Sequence, residues 1–234
     1  MADVPRVVMC SMWRNDAARN LDERVKHLLS KSYPRLRWLW LVGDSDDATI
    51  MRLLSYAARE PRVTLAQYDT GIAGTDFASR LARLSAMTNE WFRRVRVDDD
   101  FVLTHESDLL SPADVVERMV AHAAAGRECV AGWPVIALSK REQFYDLWAF
   151  RAKGWHFEAF PPHHPVYRPN EPFEVDSFGS VCLFPAGSVR GGIIGLREAV
   201  VGVCEHLRRQ GLRLWVDPTL RIEQPVGLWE PWVA

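Results

Sequence analysis

The chain has 234 residues and a mass of 26.7 kDa, enough for one large domain or two small ones. Hydrophobic residues make up 48% and charged residues 25%, proportions that argue against intrinsic disorder and coiled-coil architecture. Lys and Arg number 29 against 30 Asp and Glu, a formal charge of -1, so no global basic field marks a polyanion partner.

Arg6–Met12 is a short Val-rich apolar run and predicts a buried strand. A helix follows over about Ala18–Ser30, with Leu21, Val25, Leu28 and Leu29 on one face, and Tyr33-Pro34 stops it. Arg37–Val42 predicts a second strand, ending in the polar turn Gly43-Asp44-Ser45-Asp46-Asp47 before a helix that carries Ile50, Leu53, Leu54 and Ala57. Val63–Tyr68 is a third strand. Thr75 is placed to cap a helix with Phe77, Leu81, Leu84 and Trp91 on its apolar side. A fourth run, Phe101–Leu103, precedes His105-Glu106-Ser107-Asp108. Ser111-Pro112 then signals a helix with Ser as cap and Gly126 as its end. This alternation predicts an α/β fold with a mostly parallel sheet covered by helices on both faces.

The second half is less regular. Cys129–Ile136 and Ser180–Phe184 predict strands, and Ser139–Asn170 between them predicts a long, aromatic-rich functional loop. A helix over about Leu196–Gln210 and a strand at Leu212–Val216 close the pattern. Cys10, Cys129, Cys182 and Cys204 are widely spaced, which predicts buried free thiols rather than disulfides or a zinc site. No leader-like segment and no apolar run near the roughly 20 residues of a membrane span is present, so the expectation is a soluble cytoplasmic protein with no membrane partner.

In an open parallel sheet, ligands bind beyond the carboxyl ends of the strands. That directs attention to Ser11–Asn15, Asp44–Asp47 and His105–Asp108. Asp98-Asp99-Asp100 contains Asp-x-Asp but precedes the fourth run, at the wrong end. Glu106 and Asp108 follow it, and in extended chain residues i and i+2 point the same way. Two hard oxygen ligands there suit Mg²⁺ or Mn²⁺, with a diphosphate completing the shell. The plainer reading is that they neutralise the amino end of the next helix.

Four segments occur in order: SMWRN after the first strand, LVGDSDDAT after the second, the Arg-bearing SRLARLSAMTN, and FVLTHESD. With Leu-x-Ser-Pro after the acidic pair and the later FEVDSFGSVCLFPAG, this pattern resembles nucleotide-sugar glycosyltransferases of the GT-A fold. It is most similar to the fungal Golgi mannan polymerase mannosyltransferases and related bacterial and phage enzymes. The resemblance covers about Val7 to Pro225. It implies a single GT-A-like (Rossmann-type) domain over residues 1–234, with a nucleotide-binding half over about 1–110 and an acceptor-binding half over about 111–234. It implies a metal-dependent transfer of a hexosyl group from a nucleoside diphosphate sugar to an acceptor hydroxyl. Ser11, Arg14 and Asp44 would hold the base and ribose, and Arg80 or Arg83 the diphosphate. Asp108 and Glu106 would hold the Mn²⁺ or Mg²⁺. Glu174, Asp176 and Gly179 would lie beside the transferred sugar and acceptor, and Glu205 would orient the acceptor or act as base. The family it most resembles transfers with retention; under inversion, Asp176 or Glu205 becomes a candidate base. The late His that many such enzymes use as a metal ligand is absent from Arg221-Ile222-Glu223-Gln224-Pro225. Either Glu223 substitutes, or the acidic pair and donor phosphates hold the metal alone.

Each residue also has a structural reading. Asp44 suits a helix cap, Arg80 and Arg83 a solvated helix face, and His206 a helix surface. His156, His163 and His164 lack metal-ligand spacing and sit among prolines, as in a rigid loop. Tyr145, Asp146, Trp148 and Arg151 suit either packing or an acceptor-binding wall. A nucleotidyltransferase is disfavoured because Ser11–Asn15 lacks a Gly-rich phosphate loop. A non-catalytic module binding carbohydrate or single-stranded nucleic acid by stacking is the other alternative. The acceptor class stays open among modified DNA, protein and glycan.

Overall fold

The computed structural model describes residues 4–138, 141–144, 146, 148–152, 155–156, 169–179 and 181–225. Strands β1 (Val7–Trp13), β2 (Leu36–Val42), β3 (Val63–Gln67) and β4 (Phe101–His105) are separated by helices α1 (Leu21–Leu29), α2 (Thr49–Ala57) and α3 (Phe77–Arg93). Each return through a helix brings the next strand back in the same direction, so β3-β2-β1-β4 is a parallel block. Val7 aligns with Leu36 on one side and Phe101 on the other. Because β2 and β4 flank β1, the chain changes direction of travel across the sheet there, the switch point at whose carboxyl edge ligands of open α/β sheets bind.

Helix α4 (Val115–Ala124) leads to β5 (Cys129–Leu138), followed by β6 (Arg141–Phe144), β7 (Arg151–Ala152) and β8 (Trp155–His156). Then come β9 (Phe173–Val175), β10 (Val181–Pro185), a 3-10 turn at Ala186–Ser188, α5 (Ala199–Arg209) and β11 (Leu214–Gln224). The main sheet runs β3-β2-β1-β4-β10-β5-β11-β9, with β6 on β5. The expectation of a mostly parallel sheet is corrected here to a mixed one. Helix α4 carries the chain past one strand position, and β10 fills that gap antiparallel to both β4 and β5. Strand β9 is also antiparallel to β11.

Alternation along the strands sends side chains to two cores. Val8, Cys10, Leu39, Met87, Phe92, Cys182, Cys204 and Leu207 pack beneath α3 and α5. Met9, Trp13, Val25, Leu28, Leu53, Val116 and Met119 pack against α1, α2 and α4. All four cysteines are buried and free. No described helix is long and apolar enough to cross a membrane.

Two helix starts differ from expectation. Asp76, not Thr75, caps α3: its carboxylate accepts from the Ser79 amide at 3.0 Å and the Ser79 hydroxyl at 2.6 Å. Phe77 then points outward, 58% exposed, and the core face is Met87, Trp91 and Phe92. Ser111 does not cap α4, which begins at Val115; its groups are taken by a buried polar network described below. Likewise the region from Ser139 to Asn170 is not a plain loop, since β6, β7 and β8 lie within it.

The last strand is longer than expected because of a bulge between Asp217 and Arg221. Asp217 holds it, accepting from the Thr219 amide at 2.8 Å and hydroxyl at 2.7 Å, and from Arg118 at 3.1 Å. Arg127 Nε donates to His122 Nδ1, so His122 carries its proton on Nε2 and donates it to Asp217 at 3.0 Å. Burial opposes the Asp217 charge, but the Thr219 and His122 hydrogen bonds outweigh it and hold the pKa at about 2. A depressed carboxylate pKa contributes stability above the unfolded value that is lost as pH falls through the folded one. The Asp217→Asn variant should therefore be about 2 kcal/mol less stable than wild type at pH 7, with the gap shrinking as urea titrations move from pH 4 to pH 2.

Candidate active site

The loops at the carboxyl ends of the parallel strands are tied to one another by short polar bonds. After β1, the Arg14 amide donates to Asp16 Oδ2 at 2.9 Å and Arg14 Nε to the Asp44 carbonyl at 3.3 Å. After β2, Asp44 turns with φ of 50° and its carboxylate accepts from the Thr70 amide and hydroxyl at 2.9 and 2.7 Å. Asp44 is thus a strut between loops; the α2 start is served instead by Asp47, which accepts from the Thr49 amide at 2.9 Å. Gly43 fits because a Cβ there would collide with the Tyr68 carbonyl. Ser11, the other residue expected at the base and ribose, is wholly buried with an unpaired hydroxyl. Met9 and Trp13 on either side of it face the α1 side of the sheet, and period-two alternation turns Ser11 the same way.

The structure separates the two arginines of α3. Arg83 is buried and donates to the carbonyls of Ile72 and Gly74 at 3.0 and 2.6 Å, fixing the loop after β3. Arg80 is exposed, and its charge acts on both Glu106 and Asp108. The triple aspartate lies at the opposite end of the sheet. There Asp99 accepts from Arg37 Nε at 2.8 Å, Asp98 pairs with Arg6, and Asp100 accepts from the Arg6 amide at 2.7 Å.

Glu106 and Asp108 emerge together where β4 ends. Glu106 is exposed to solvent at the turn after β4, yet protein around its carboxyl strips part of its hydration. That desolvation, with the charges of Asp108 and Asp146, raises its pKa well above the ordinary carboxylate value against the pull of Arg80. Desolvation likewise raises Asp108, outweighing Arg24 and Arg80. Among the described residues no three His, Cys, Asp or Glu side chains gather as a metal cage. The pair nevertheless fits a hard divalent cation that takes its remaining ligands from phosphate oxygens, since such ions are commonly held by one or two carboxylates plus substrate. The negative charge gathered there, offset only in part by Arg24 and Arg80, is what such an ion would neutralise.

The turn bearing these acids is braced from beneath. His105 Nδ1 donates to the Glu106 carbonyl at 2.8 Å, and its Nε2 meets the Ser111 hydroxyl at 2.8 Å. The Ser111 amide donates to His27 Nε2 at 3.0 Å and its carbonyl accepts from Lys31 at 2.9 Å. Burial holds the His105 pKa down at about 3, His27 at about 4 and Lys31 at about 8, so both imidazoles are neutral at pH 7. On the other side, the Leu110 amide and the Glu223 amide donate to each other's carbonyls at 2.8 Å. The Glu223 carboxylate turns to Arg221 at 2.5 Å.

Across the cleft lies Asp146, read from sequence only as packing or acceptor wall. Its Oδ1 accepts from the Ala149 amide at 3.1 Å, and its carboxylate lies against Gly179, where a Cβ would collide with Oδ2. Gly179 is buried, and its lack of a side chain makes room for this carboxylate. Next to it Trp148 meets Phe77 edge to face, ring centroids 5.9 Å apart. The other carboxylates nominated from sequence pair with arginines. Glu174, at the outer strand, pairs with Arg213 at 2.6 Å; Asp176 pairs with Arg208 at 3.2 Å; Glu205 pairs with Arg209 at 3.0 Å. His206 is half-buried and bonds the Ser188 carbonyl rather than solvent alone. Tyr145, His163 and His164, and the side chain of His156, lie outside the described residues. Arg24 was missed: its place in the 21-24-25-28 stripe of α1 was the available signal, a charged residue on the face that enters the core.

No protein-family model matches the chain, and no curated protein is similar to it in sequence. Solved structures are similar to it in fold. GalNAc-T7, determined with UDP, GalNAc and Mn²⁺, superposes with a TM-score of 0.59 at 10% identity over 96% of this chain. TarS (residues 1–349) of S. aureus, with UDP-GlcNAc, gives 0.55 at 9% identity over 94%. The mannosyltransferase PcManGT of Pyrobaculum calidifontis, with GDP-Man and Mn²⁺, gives 0.44 at 19% identity over 56%. The chain spans 44%, 58% and 36% of the length of these three structures. The first two show that the fold is one used by nucleotide-sugar glycosyltransferases.

A raised carboxylate pKa means that the ionised form costs stability in the fold. Glu106→Gln should therefore raise the urea midpoint of the metal-free protein at pH 7 relative to wild type, with the difference vanishing as the pH falls below the ordinary carboxylate range.

Proposed function

We propose that the chain is a glycosyltransferase that takes a sugar from a nucleoside diphosphate sugar and gives it to an acceptor hydroxyl. The observation that carries this is the pair Glu106 and Asp108, repelling each other at the carboxyl edge of β1 and β4 and faced by Arg80. The nucleotide-binding role falls to the half over about 1–110, where the struts at Asp44 and Arg83 hold the loops open as a rim. Arg14 and Asp44 stand at that rim, with Ser11 beneath it. The acceptor role falls to the remainder.

Glu106 and Asp108 would hold Mn²⁺ or Mg²⁺ together with the donor diphosphate. When bound, the cation supplies neutralisation of the negative charge that builds on the departing diphosphate. Arg80, exposed and directed to the same place, adds a guanidinium fork suited to phosphate oxygens. Asp146, across from Glu106, is the carboxylate proposed to accept the acceptor hydroxyl proton. The hydroxyl oxygen then bonds to the anomeric carbon as the bond from that carbon to the phosphate oxygen breaks, and nucleoside diphosphate leaves. The proposal leaves Asp176, Glu174 and Glu205 as ion-pair partners of arginines, on the acceptor side.

Incubation with a panel of UDP-, GDP- and dTDP-sugars plus Mn²⁺ tests this. Release of nucleoside diphosphate is expected from at least one donor, and Asp108→Asn should cut that turnover by about 100-fold or more. Pyrophosphate release from NTP and a sugar 1-phosphate, with no donor cleavage, would overturn it in favour of a nucleotidyltransferase. Gly179→Ala displaces Asp146 without touching the donor rim. It should lower kcat for transfer by roughly 100-fold and leave donor KM nearly unchanged.

A further inference from the structure

We infer that Arg24, in the middle of α1, is a positioning residue that fixes the Glu106–Asp108 turn in the geometry able to bind a divalent cation and a diphosphate. The inference rests on the reading of the site just given. Arg24 is 6% exposed, on the helix face between Leu21 and Leu28. A buried guanidinium is costly unless its fork is filled and its charge is paired. Here both conditions are met by the protein itself. Nε donates to the Ser107 carbonyl at 2.8 Å and NH2 to the Ser107 hydroxyl at 2.6 Å. NH1 donates to Asp16 Oδ1 at 2.8 Å and to the Arg19 carbonyl at 3.4 Å, and the guanidinium lies 5.2 Å from the Trp13 ring centroid.

Ser107 is the residue between the two acids. Holding its carbonyl and its hydroxyl at once fixes the backbone that turns Glu106 and Asp108 outward together. The same guanidinium reaches the loop after β1 through Asp16, whose amide donates to Thr49 Oγ1 at 2.7 Å and whose other oxygen accepts from the Arg14 amide. One cation therefore sets the spacing between the proposed nucleotide rim and the proposed metal turn. Its charge also favours the ionised form of Asp108. Lysine cannot copy this, because a point ammonium lacks the planar fork that grips Ser107 at two atoms while reaching Asp16. With its donors engaged by Ser107, Asp16 and Arg19, Arg24 acts through the turn rather than on substrate.

The test uses the full chain as wild type, Arg24→Lys, Arg24→Met and Ser107→Ala. Thermal unfolding reports folding, and electron paramagnetic resonance of free Mn²⁺ reports metal affinity in the presence of UDP and, separately, GDP. Folded Arg24→Lys should bind Mn²⁺ about 10-fold more weakly than wild type, the scale found when residues supporting a metal ligand are changed. Ser107→Ala, which keeps the carbonyl clamp and removes the hydroxyl one, should show a smaller loss in the same direction. A merely structural arginine would lower the unfolding temperature and leave the affinity of the folded protein unchanged; that result overturns the inference. If Arg24→Lys and Arg24→Met fail to fold, Ser107→Ala decides, and wild-type affinity in it overturns the inference. Wild-type protein that binds no Mn²⁺ with either nucleotide overturns the functional reading itself, and the inference with it.

Discussion

Two acidic residues, separated by Ser107, follow β4; desolvation raises the pKa of both carboxyls, and the charge of Asp108 raises that of Glu106 further. Left to itself such a turn would relax, because rotating Ser107 would separate the charges. The surrounding structure removes that freedom from every side. His105 and the Leu109 amide hold the Glu106 carbonyl, Arg24 holds Ser107, Leu110 is laddered to Glu223, and Ser111 is gripped by His27, Lys31 and His105.

The division of the sheet follows from the same place. The parallel block β3-β2-β1-β4 brings three loops and the acidic turn to one edge, because every crossover ends each strand at that edge. The mixed block does a different job. Strand β10 runs back from the cleft beside β4, so the Ser177–Gly179 segment before it passes the acids. Strand β11 continues beyond its bulge to lie against Leu110, which is how a residue late in the chain comes to buttress the turn. Asp217 and its hydrogen-bonded partners hold the kink that makes this reach possible.

The alternation of apolar strands and amphipathic helices in the first half was legible because burial on both faces leaves continuous runs such as RWLWLV. The antiparallel sense of β10 was not, since a strand's own residues do not encode its direction relative to neighbours. The acidic pair was legible from period-two geometry. Arg80 and Arg83 were not separable, because three residues along a helix turn a side chain by 300°, and only the loop after β3 decides which arginine finds carbonyls. Glu174 and Asp176 drew attention through their motif, whereas their ion pairs with Arg213 and Arg208 come from residues more than 30 positions away. Arg24 was hidden in plain view: its helix was read by the leucines and valine of one stripe, and the charged member of that stripe was passed over.

Asp146 shows why the acceptor side resists reading from composition. Its neighbourhood is aromatic, and aromatic segments pack as readily as they bind. What distinguishes it is Gly179, a residue from a different strand approach whose missing side chain leaves the carboxylate its space. Among the described residues it does not form a three-ligand cage with Glu106 and Asp108. It is nonetheless near enough to raise the pKa of Glu106. The Gly179 approach that fixes Asp146 and the charge it exerts on Glu106 are the two observations behind giving it a role separate from the acidic pair in the proposed reaction.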